Sequence, residues 1–272
     1  FGESKLFIPE SNKKEQFFTL FIDKKAFVSS LAKSKEWKKW AGLNSSKTPK
    51  PIKHQELVLI KRVDIIQTEN VLAVITGSDS LLKNEVLVLT AHYDHLGKEN
   101  NVVYNGADDD GSGTVALLEI AQSFAYAHQN GDGPKRTVLI MPVTAEEKGL
   151  LGSKYYSMNP IYPMENTIAN LNIDMIGRTD EHHKNPNYVY IIGSDMLSDD
   201  LHRINNEAAE ELDLVELDYR YNSKEDPNRF YFRSDHYNFV VNVVPSIFYF
   251  SGVHEDYHQP TDTVDKIDFE KM

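Results

Sequence analysis

The sequence contains no cysteine. This absence excludes disulfide cross-links, zinc sites built from thiolates, and enzymes that use a cysteine nucleophile. Any metal ion that the chain binds must therefore be held by histidine, aspartate and glutamate side chains. The chain has 10 histidines and 41 aspartates and glutamates, so these ligand types are available.

Long hydrophobic runs and an excess of basic residues are also missing. No stretch approaches the roughly 18 consecutive apolar residues of a membrane-spanning helix, so we expect no transmembrane segment in this chain. The 29 lysines and arginines are outnumbered by the 41 acidic residues, which gives a formal net charge of -12. Nucleic-acid-binding proteins usually present a basic face, so this balance argues against a nucleic-acid partner. It is equally consistent with a solvated acidic surface.

From residue 56 onward the sequence alternates between strand and helix patterns. Apolar runs typical of buried strands occur at 57–60, 71–75, 86–91, 137–143, 168–173, 188–192 and 246–250. Helical periodicity is clearest at 114–128 and 197–212. This order predicts an α/β fold, a three-layer α/β/α sandwich with a mixed, mostly parallel central sheet. Such sheets bind ligands outside the carboxyl ends of their strands, so we expect the active site there.

The first 55 residues differ in character from the rest of the chain. They are rich in lysine, and they contain a short apolar run at 17–22, a helical pattern at 24–33 and a Pro/Ser/Lys-rich stretch at 44–53. We interpret residues 1–55 as part of a separate unit with a linker, and residues 56–272 as the main domain.

The first group with metal-binding character follows the strand predicted at 86–91. His92 and Asp94 are two positions apart, and residues i and i+2 of an extended chain face the same way. Asp94 can therefore accept the second ring proton of His92, which would fix the tautomer of a metal-bound imidazole. On its own, such a pair is more often a surface or core feature.

Three consecutive aspartates, Asp108 to Asp110, stand in a glycine-flanked turn before a predicted helix. They could simply offset the dipole at the helix N-terminus. A calcium loop of the EF-hand type is a sharper alternative, because several residues fall at its ligand positions: Asp108, Asp110, Ser112, Gly113 and Glu119. The segment before the aspartates carries no helical pattern, which argues against that alternative.

Three further groups follow predicted strands. Glu146 and Glu147 come after the strand at 137–143, and because adjacent side chains project differently, one can bind metal while the other reaches a water. Asp174 ends the strand at 168–173, where a buried carboxylate needs a metal or an ion pair, for which Arg178 is a candidate. His258 lies in a histidine-rich loop after the strand at 246–250. Together these groups supply the ligands that two zinc ions sharing a carboxylate require.

The ordered motifs resemble a known enzyme family. They are AHYDHLG (91–97), NGADDDGSGT (105–114), TAEEKGLLGS (144–153), NIDMIGR (172–178), RSDHYNF (233–239) and DYHQPTDT (256–263). In this order and spacing they are similar to the co-catalytic di-zinc exopeptidases, which include secreted bacterial leucyl aminopeptidases, glutamate carboxypeptidase II and glutaminyl cyclases. The resemblance covers residue 56 to the C-terminus.

The resemblance implies a role for each matching residue. The two zinc ions would be held by His92 and Asp174 on one side, by Glu147 and His258 on the other, and by a bridging Asp109. The catalytic set would comprise Glu146 as general base, Asp94 orienting His92, Tyr257 stabilising the oxyanion, and Arg233 near the substrate. The resemblance also implies a cis peptide bond between Asp109 and Asp110.

The resemblance also bears on the chain termini and on location. Residues 1–55 are similar to the end of a protease-associated domain, and residues 261–272 are similar to the start of a terminal helix that Met272 truncates. No secretion signal is present, and the chain begins with Phe1. By analogy with the secreted bacterial members, we expect an extracytoplasmic location, in the periplasm or outside the cell.

The predicted activity is zinc-dependent removal of N-terminal residues from peptide substrates. An acidic cluster suits a free amino group, whereas a carboxypeptidase would want several arginines, and only Arg178, Arg229 and Arg233 are candidates. A single-zinc glutaminyl cyclase and a carboxypeptidase of the same family are the alternatives. A non-catalytic binding domain is disfavoured because every ligand position and the base are filled.

Overall fold

A computed structural model describes residues 65–212 and 215–272. Within these ranges the strands are β1 (Ala73–Ile75), β2 (Val86–His92), β3 (Gly97–Glu99), β4 (Val102–Tyr104), β5 (Thr137–Val143), β6 (Thr167–Ile173), β7 (Tyr188–Ile192), β8 (Glu216–Asp218) and β9 (Ser246–Phe250). The α-helices are α1 (Gly113–Gln129), α2 (Leu151–Met158), α3 (Asp199–Leu212) and α4 (His236–Val240). A wide helical turn, Ala107–Ser112, leads directly into α1.

Seven of these strands form one mixed sheet in the order β1-β5-β2-β6-β9-β7-β8. The four central strands, β5, β2, β6 and β9, are mutually parallel. The strands β1 and β7 run antiparallel to their neighbours β5 and β9, and β8 is parallel to β7. The strands β3 and β4 form a separate antiparallel hairpin. The carboxyl ends of the four central strands therefore meet along one edge of the sheet.

The core lies on both faces of the sheet because alternate side chains of a strand point to opposite faces. In β2, Val86 and Val88 pack in a cluster that also contains side chains of α2 and α4. Leu89 and Ala91 point the other way and pack with Leu117 of α1. Helices thus cover both faces, and the predicted three-layer α/β/α fold is confirmed.

Several predicted elements have the bounds that the sequence pattern gave, namely β5, β7 and β9. The strand predicted at 57–60, the helix at 24–33 and the proposed unit 1–55 lie outside the described residues. Near the C-terminus, Asp268 Oδ1 accepts the backbone N–H groups of Glu270 and Lys271 at 3.1 Å, within a turn at 269–271. Among the described helices, none has the length and apolar character needed to cross a bilayer.

Candidate active site

Four of the predicted site residues lie where parallel strands end. His92 is the last residue of β2, which lies between β5 and β6 in the sheet. Glu146 and Glu147 follow β5, and Asp174 follows β6 directly. Because these carboxyl ends lie at the same edge of the sheet, the side chains lie close to one another there.

His92 is the centre of the first group of side chains. Its ring is buried, and its Nε2 atom lies 3.2 Å from Asp109 Oδ1, 3.7 Å from Asp174 Oδ1 and 4.0 Å from Glu146 Oε2. Asp174 does not pair with Arg178; its Oδ2 atom accepts a 2.6 Å hydrogen bond from Ser234. The ion pair with Arg178, which was the alternative explanation for a buried Asp174, is therefore not formed.

A second group lies on the other side of Asp109. The Nε2 atom of His258 lies 3.1 Å from Asp109 Oδ2 and 3.3 Å from Glu147 Oε1. The two carboxylate oxygens of Asp109 thus face different histidines, His92 and His258. All five predicted ligands are brought together at the carboxyl ends of the strands.

The donor atoms of this cluster fit zinc. Asp109 Oδ2 and Glu147 Oε1 are buried and lack a hydrogen-bond partner within the described part of the chain. Buried carboxylate oxygens are costly unless a cation or a donor compensates them. In a tetrahedral site with bonds of about 2.0–2.1 Å, ligand atoms lie roughly 3.3–3.4 Å apart. The spacings of 3.1–3.7 Å between the histidine and aspartate or glutamate donors match that value.

The electrostatics of the cluster favour a cation. The close approach of the Asp109 and Glu147 carboxylates raises the pKa of His258 to about 10. Burial acts to raise the pKa of Glu147, but the close approach of His258 and His95 to its carboxylate outweighs burial and lowers that pKa to about 2. Burial opposes the charged form of His92, yet hydrogen bonds to Asp109 and Asp174 hold its pKa well above the usual value. A site that retains protons so strongly also attracts divalent metal ions.

Glu146 has the environment of a general base. Burial raises its pKa well above the usual carboxyl value, and the nearby carboxylates Asp235, Asp174 and Glu147 act in the same direction. A carboxylate with a raised pKa can accept a proton near neutral pH and release it again. Its Oε2 atom lies 4.0 Å from His92 Nε2, farther than the oxygens of Asp109 and Asp174 at 3.2 Å and 3.7 Å, although Glu146, His92 and Asp174 are close enough to share a metal ion.

Asp94 acts differently from the sequence prediction. The Nδ1 atom of His92 is 2.9 Å from the backbone carbonyl oxygen of Asp94, whereas the Asp94 carboxylate is 3.9 Å away. That carboxylate instead accepts the backbone N–H of Glu146 at 3.0 Å. Because the chain turns after β2, the backbone carbonyl of Asp94 makes the contact with His92 Nδ1 that was predicted for the Asp94 carboxylate. Asp94 therefore orients both His92 and Glu146.

Tyr257 and Arg233 line a cavity beside the cluster. The cavity has about 380 Å³ of open space, and its apolar wall comprises Met175, Phe230, Phe248, Phe250 and Val253. Arg233 donates a 3.2 Å hydrogen bond to the Tyr257 hydroxyl, and the Tyr257 ring stacks on His258 with centroids 3.9 Å apart. Tyr231, the residue after Phe230, is buried in the core.

The three aspartates have separate partners. The carboxylate of Asp110 accepts the backbone N–H groups of His92, Gly113 and Met175, which joins β2, α1 and the loop after β6. Asp108 accepts the N–H of Gly177 at 2.7 Å. The strand β4 precedes them instead of a helix, and Glu119 is exposed on α1. The calcium-loop alternative is therefore wrong. The bond between Asp109 and Asp110 is cis, as expected.

Sequence reasoning missed some residues of the site. Ser234 and Asp235 belong to the RSDH motif and lie beside Asp174 and Glu146, yet only the arginine of that motif was assigned a role. His95, within the quoted motif AHYDHLG, faces Glu147 with its Nδ1 atom 3.0 Å from Oε1. The signal for His95 was its type and its place in that motif.

Residues 70–272 match the model of peptidase family M28. The chain belongs to this family. A "Probable zinc metalloprotease" of Pyrenophora teres f. teres (strain 0-1) is 37% identical over 128 residues, which cover 44% of this chain and 25% of that protein. Aminopeptidase Y of Saccharomyces cerevisiae (strain ATCC 204508 / S288c) is 29% identical over 186 residues, covering 68% of this chain and 30% of that protein.

The solved structures agree with the family assignment. A zinc aminopeptidase from Bacillus subtilis superposes with a TM-score of 0.58 at 25% identity, over 74% of this M28 chain and 46% of that protein. The chain spans only 25% and 30% of the length of the two sequence relatives. The family, the fold and the zinc-compatible donor set are thus consistent with each other.

Proposed function

We propose that this M28 chain carries the catalytic domain of an exopeptidase that uses two zinc ions to remove N-terminal residues from peptides. The main observation that supports the proposal is the position of Asp109. Its Oδ1 atom lies 3.2 Å from His92 Nε2, and its Oδ2 atom lies 3.1 Å from His258 Nε2. A carboxylate placed between two such groups is suited to bridging a pair of divalent ions. The similarity to zinc metalloproteases and aminopeptidases supports the same conclusion.

In this proposal each side of Asp109 would hold one ion. His92 and Asp174 would be the ligands on the first side, and Glu147 and His258 would be the ligands on the second. Ser234 and the backbone carbonyl of Asp94 keep the first-side ligands in place through their hydrogen bonds. Such outer contacts fix the orientation of ligands and typically matter for affinity.

The protein side chains around the cluster would transfer the proton and stabilise the negative charge that develops on the substrate. Bound zinc would supply Lewis acidity that polarises the scissile carbonyl and lowers the pKa of the attacking water to about 7. Glu146 takes the proton from that water and passes it to the leaving amine. Tyr257 donates a hydrogen bond from its hydroxyl to the developing oxyanion and keeps its proton, with Arg233 holding the phenol in place.

The charge distribution favours an aminopeptidase over a carboxypeptidase. A carboxypeptidase needs cations to anchor the terminal carboxylate. Arg178 is occupied by Asp256 at 3.2 Å, and Arg229 lies over the Phe232 ring at 4.9 Å. Among the arginines of the described ranges, Arg233 is the one that lines the cavity. The carboxylates around the cluster suit a protonated amino terminus.

A substrate panel tests this function. The protein would be assayed with aminoacyl-nitroanilides and with carboxy-terminally labelled peptides, with added zinc and after treatment with chelator. We expect hydrolysis of the aminoacyl substrates, loss of activity with chelator and recovery with zinc. Hydrolysis of only the carboxy-terminal reporters would make the protein a carboxypeptidase.

The same panel separates the remaining alternatives. Cyclisation of glutaminyl peptides without hydrolysis, together with one zinc per chain, would make the protein a glutaminyl cyclase. If the zinc-loaded protein turned over none of these substrates, it would be a non-catalytic binding domain, and the proposal would be contradicted.

A further inference from the structure

His95 is a buried histidine whose ring nitrogens have no partner. It follows Asp94 in the turn after β2, and its side chain is only 9% exposed. Neither ring nitrogen makes a hydrogen bond to any of the residues that the structure describes. Burying a polar ring without partners is costly, so such a group calls for an explanation.

The ring points at two oxygens that are themselves without hydrogen bonds. His95 Nδ1 lies 3.0 Å from Glu147 Oε1 and 3.8 Å from Asp109 Oδ2. The same two oxygens lie 3.3 Å and 3.1 Å from His258 Nε2. These spacings bracket the roughly 3.3–3.4 Å that separates ligand atoms around tetrahedral zinc. His95, Glu147 and Asp109 by themselves form a group close enough to share one metal ion.

The backbone leaves room for this imidazole. Gly106 has a φ of 63°, and a Cβ atom built on it would lie 2.5 Å from His95 Cγ and 2.4 Å from the Asp109 carbonyl oxygen. Any larger residue at this position would push the histidine ring and the aspartate loop apart. On its other side the ring meets His258 edge to face, with centroids 5.8 Å apart. The turn before Asp109 therefore packs directly against the His95 ring.

We propose that His95 is a further zinc ligand, binding through Nδ1 on the same side of Asp109 as Glu147 and His258. This inference rests on the proposed function. It makes the two sides of the site unequal, because one ion would have two imidazole ligands and the other only His92. The competing possibility is that His95 merely donates a hydrogen bond to Glu147.

Two substitutions separate a ligand from a hydrogen-bond donor. In His95→Asn the amide nitrogen occupies the place of Nδ1 and can still donate to Glu147, but an amide is a poor zinc ligand. His95→Ala removes both functions. The exposed His128 on α1, changed to Asn, is the matched control. Each protein would be loaded with zinc or cobalt, and its metal content, metal affinity and visible cobalt absorption measured.

We expect both His95 variants to bind the second ion at least about 100-fold more weakly and to show the same altered cobalt spectrum. The His128→Asn control should retain two ions and the original spectrum. If His95→Asn keeps the affinity and spectrum of the unchanged protein while His95→Ala does not, His95 is only a hydrogen-bond donor and the inference is wrong.

A measurement on the unchanged protein covers the case in which the variants do not fold. X-ray absorption at the zinc edge counts imidazole ligands, and three histidines over two ions give about 1.5 per zinc, against about 1.0 without His95. A protein that holds two zinc ions and hydrolyses aminoacyl substrates but gives about 1.0 contradicts this inference alone. A protein that binds no zinc contradicts the proposed function itself.

Discussion

Glu146 and Glu147 are neighbours in the chain, yet their surroundings differ. The Glu147 carboxylate lies 3.0 Å from His95 and 3.3 Å from His258, and its pKa falls to about 2. Glu146 is instead buried near other carboxylates, and both burial and their negative charge raise its pKa. Removing the charge of Glu146 should therefore have a different effect on the enzyme from removing the charge of Glu147.

We predict that Glu146→Gln lowers turnover by about 100-fold to 10,000-fold while both zinc ions stay bound. Glu147→Gln should instead lose the ion on the His258 side, because the amide replaces a ligand. Zinc content and hydrolysis of an aminoacyl-nitroanilide are measured on both variants, each serving as the control for the other. Loss of zinc from Glu146→Gln with retention in Glu147→Gln would reverse the two roles.

His236 makes the stability of the fold dependent on pH. It is fully buried, stacks on Phe248 with centroids 5.0 Å apart and donates its Nε2 hydrogen to the Tyr231 carbonyl at 2.9 Å. Burial lowers its pKa from 6.5 to about 3. The unfolded chain therefore takes up a proton at a higher pH than the folded chain does. Stability falls as pH drops below about 6.5 and continues to fall towards pH 3.

For His236→Gln we predict a weaker response to acid, since glutamine can keep the hydrogen bond to Tyr231 without titrating. From pH 7 to pH 5 the unchanged protein should lose about 2 kcal/mol more unfolding free energy than the variant. Urea denaturation of both proteins without metal at the two pH values measures the difference. Equal losses would mean that His236 is not the residue responsible.

At the scale of elements, the loop after β9 is tied to the turn before α1. The Asp262 carboxylate accepts the backbone N–H groups of Asp108 and Asp109 at 3.1–3.2 Å. At the other end of the loop, His254 Nε2 lies 3.2 Å from Asp108 Oδ2. The loop contains His258 and the turn contains Asp109, so these contacts set the distance between two of the proposed ligand residues.

We predict that Asp262→Asn weakens zinc binding on the His258 side more than on the His92 side. The amide keeps one oxygen, which would have to accept both N–H groups without the negative charge, and its NH₂ group replaces the oxygen that Asp108 N–H also contacts. We expect this weakening to cost about 1–3 kcal/mol of stability. Stepwise zinc affinities and thermal unfolding are measured with the exposed Asp265→Asn as control. Equal weakening on both sides, or none, would argue against the loop contact as a positioning device.

The sequence predicted elements well where burial on both faces leaves a continuous apolar run. The strands β5, β7 and β9 have that character, and their predicted bounds are those observed. The hairpin of β3 and β4 and the edge strand β8 were not predicted, because each strand has three residues and much exposed surface. The short helix α2 was missed because its eight residues carry too little periodicity.

At the scale of the whole molecule, the order of strands in the sheet explains how separated motifs become neighbours. The motifs, together with the rule that ligands bind at the carboxyl ends of strands, were sufficient to predict that His92, Glu147 and Asp174 lie at one edge of the sheet. Contacts that depend on how loops turn could not be predicted. The sequence did not indicate that Arg178 would pair with Asp256, or that the Asp94 backbone rather than its carboxylate would contact His92.

The proposed position of Asp109 between two zinc ions can be tested directly. Crystals of zinc-loaded protein, measured at the zinc absorption edge, would locate the metal by its anomalous scattering. We expect two peaks roughly 3.5–4 Å apart, with Asp109 between them, His92 and Asp174 at one peak and Glu147 and His258 at the other. A single peak, or peaks away from Asp109, would contradict the proposal.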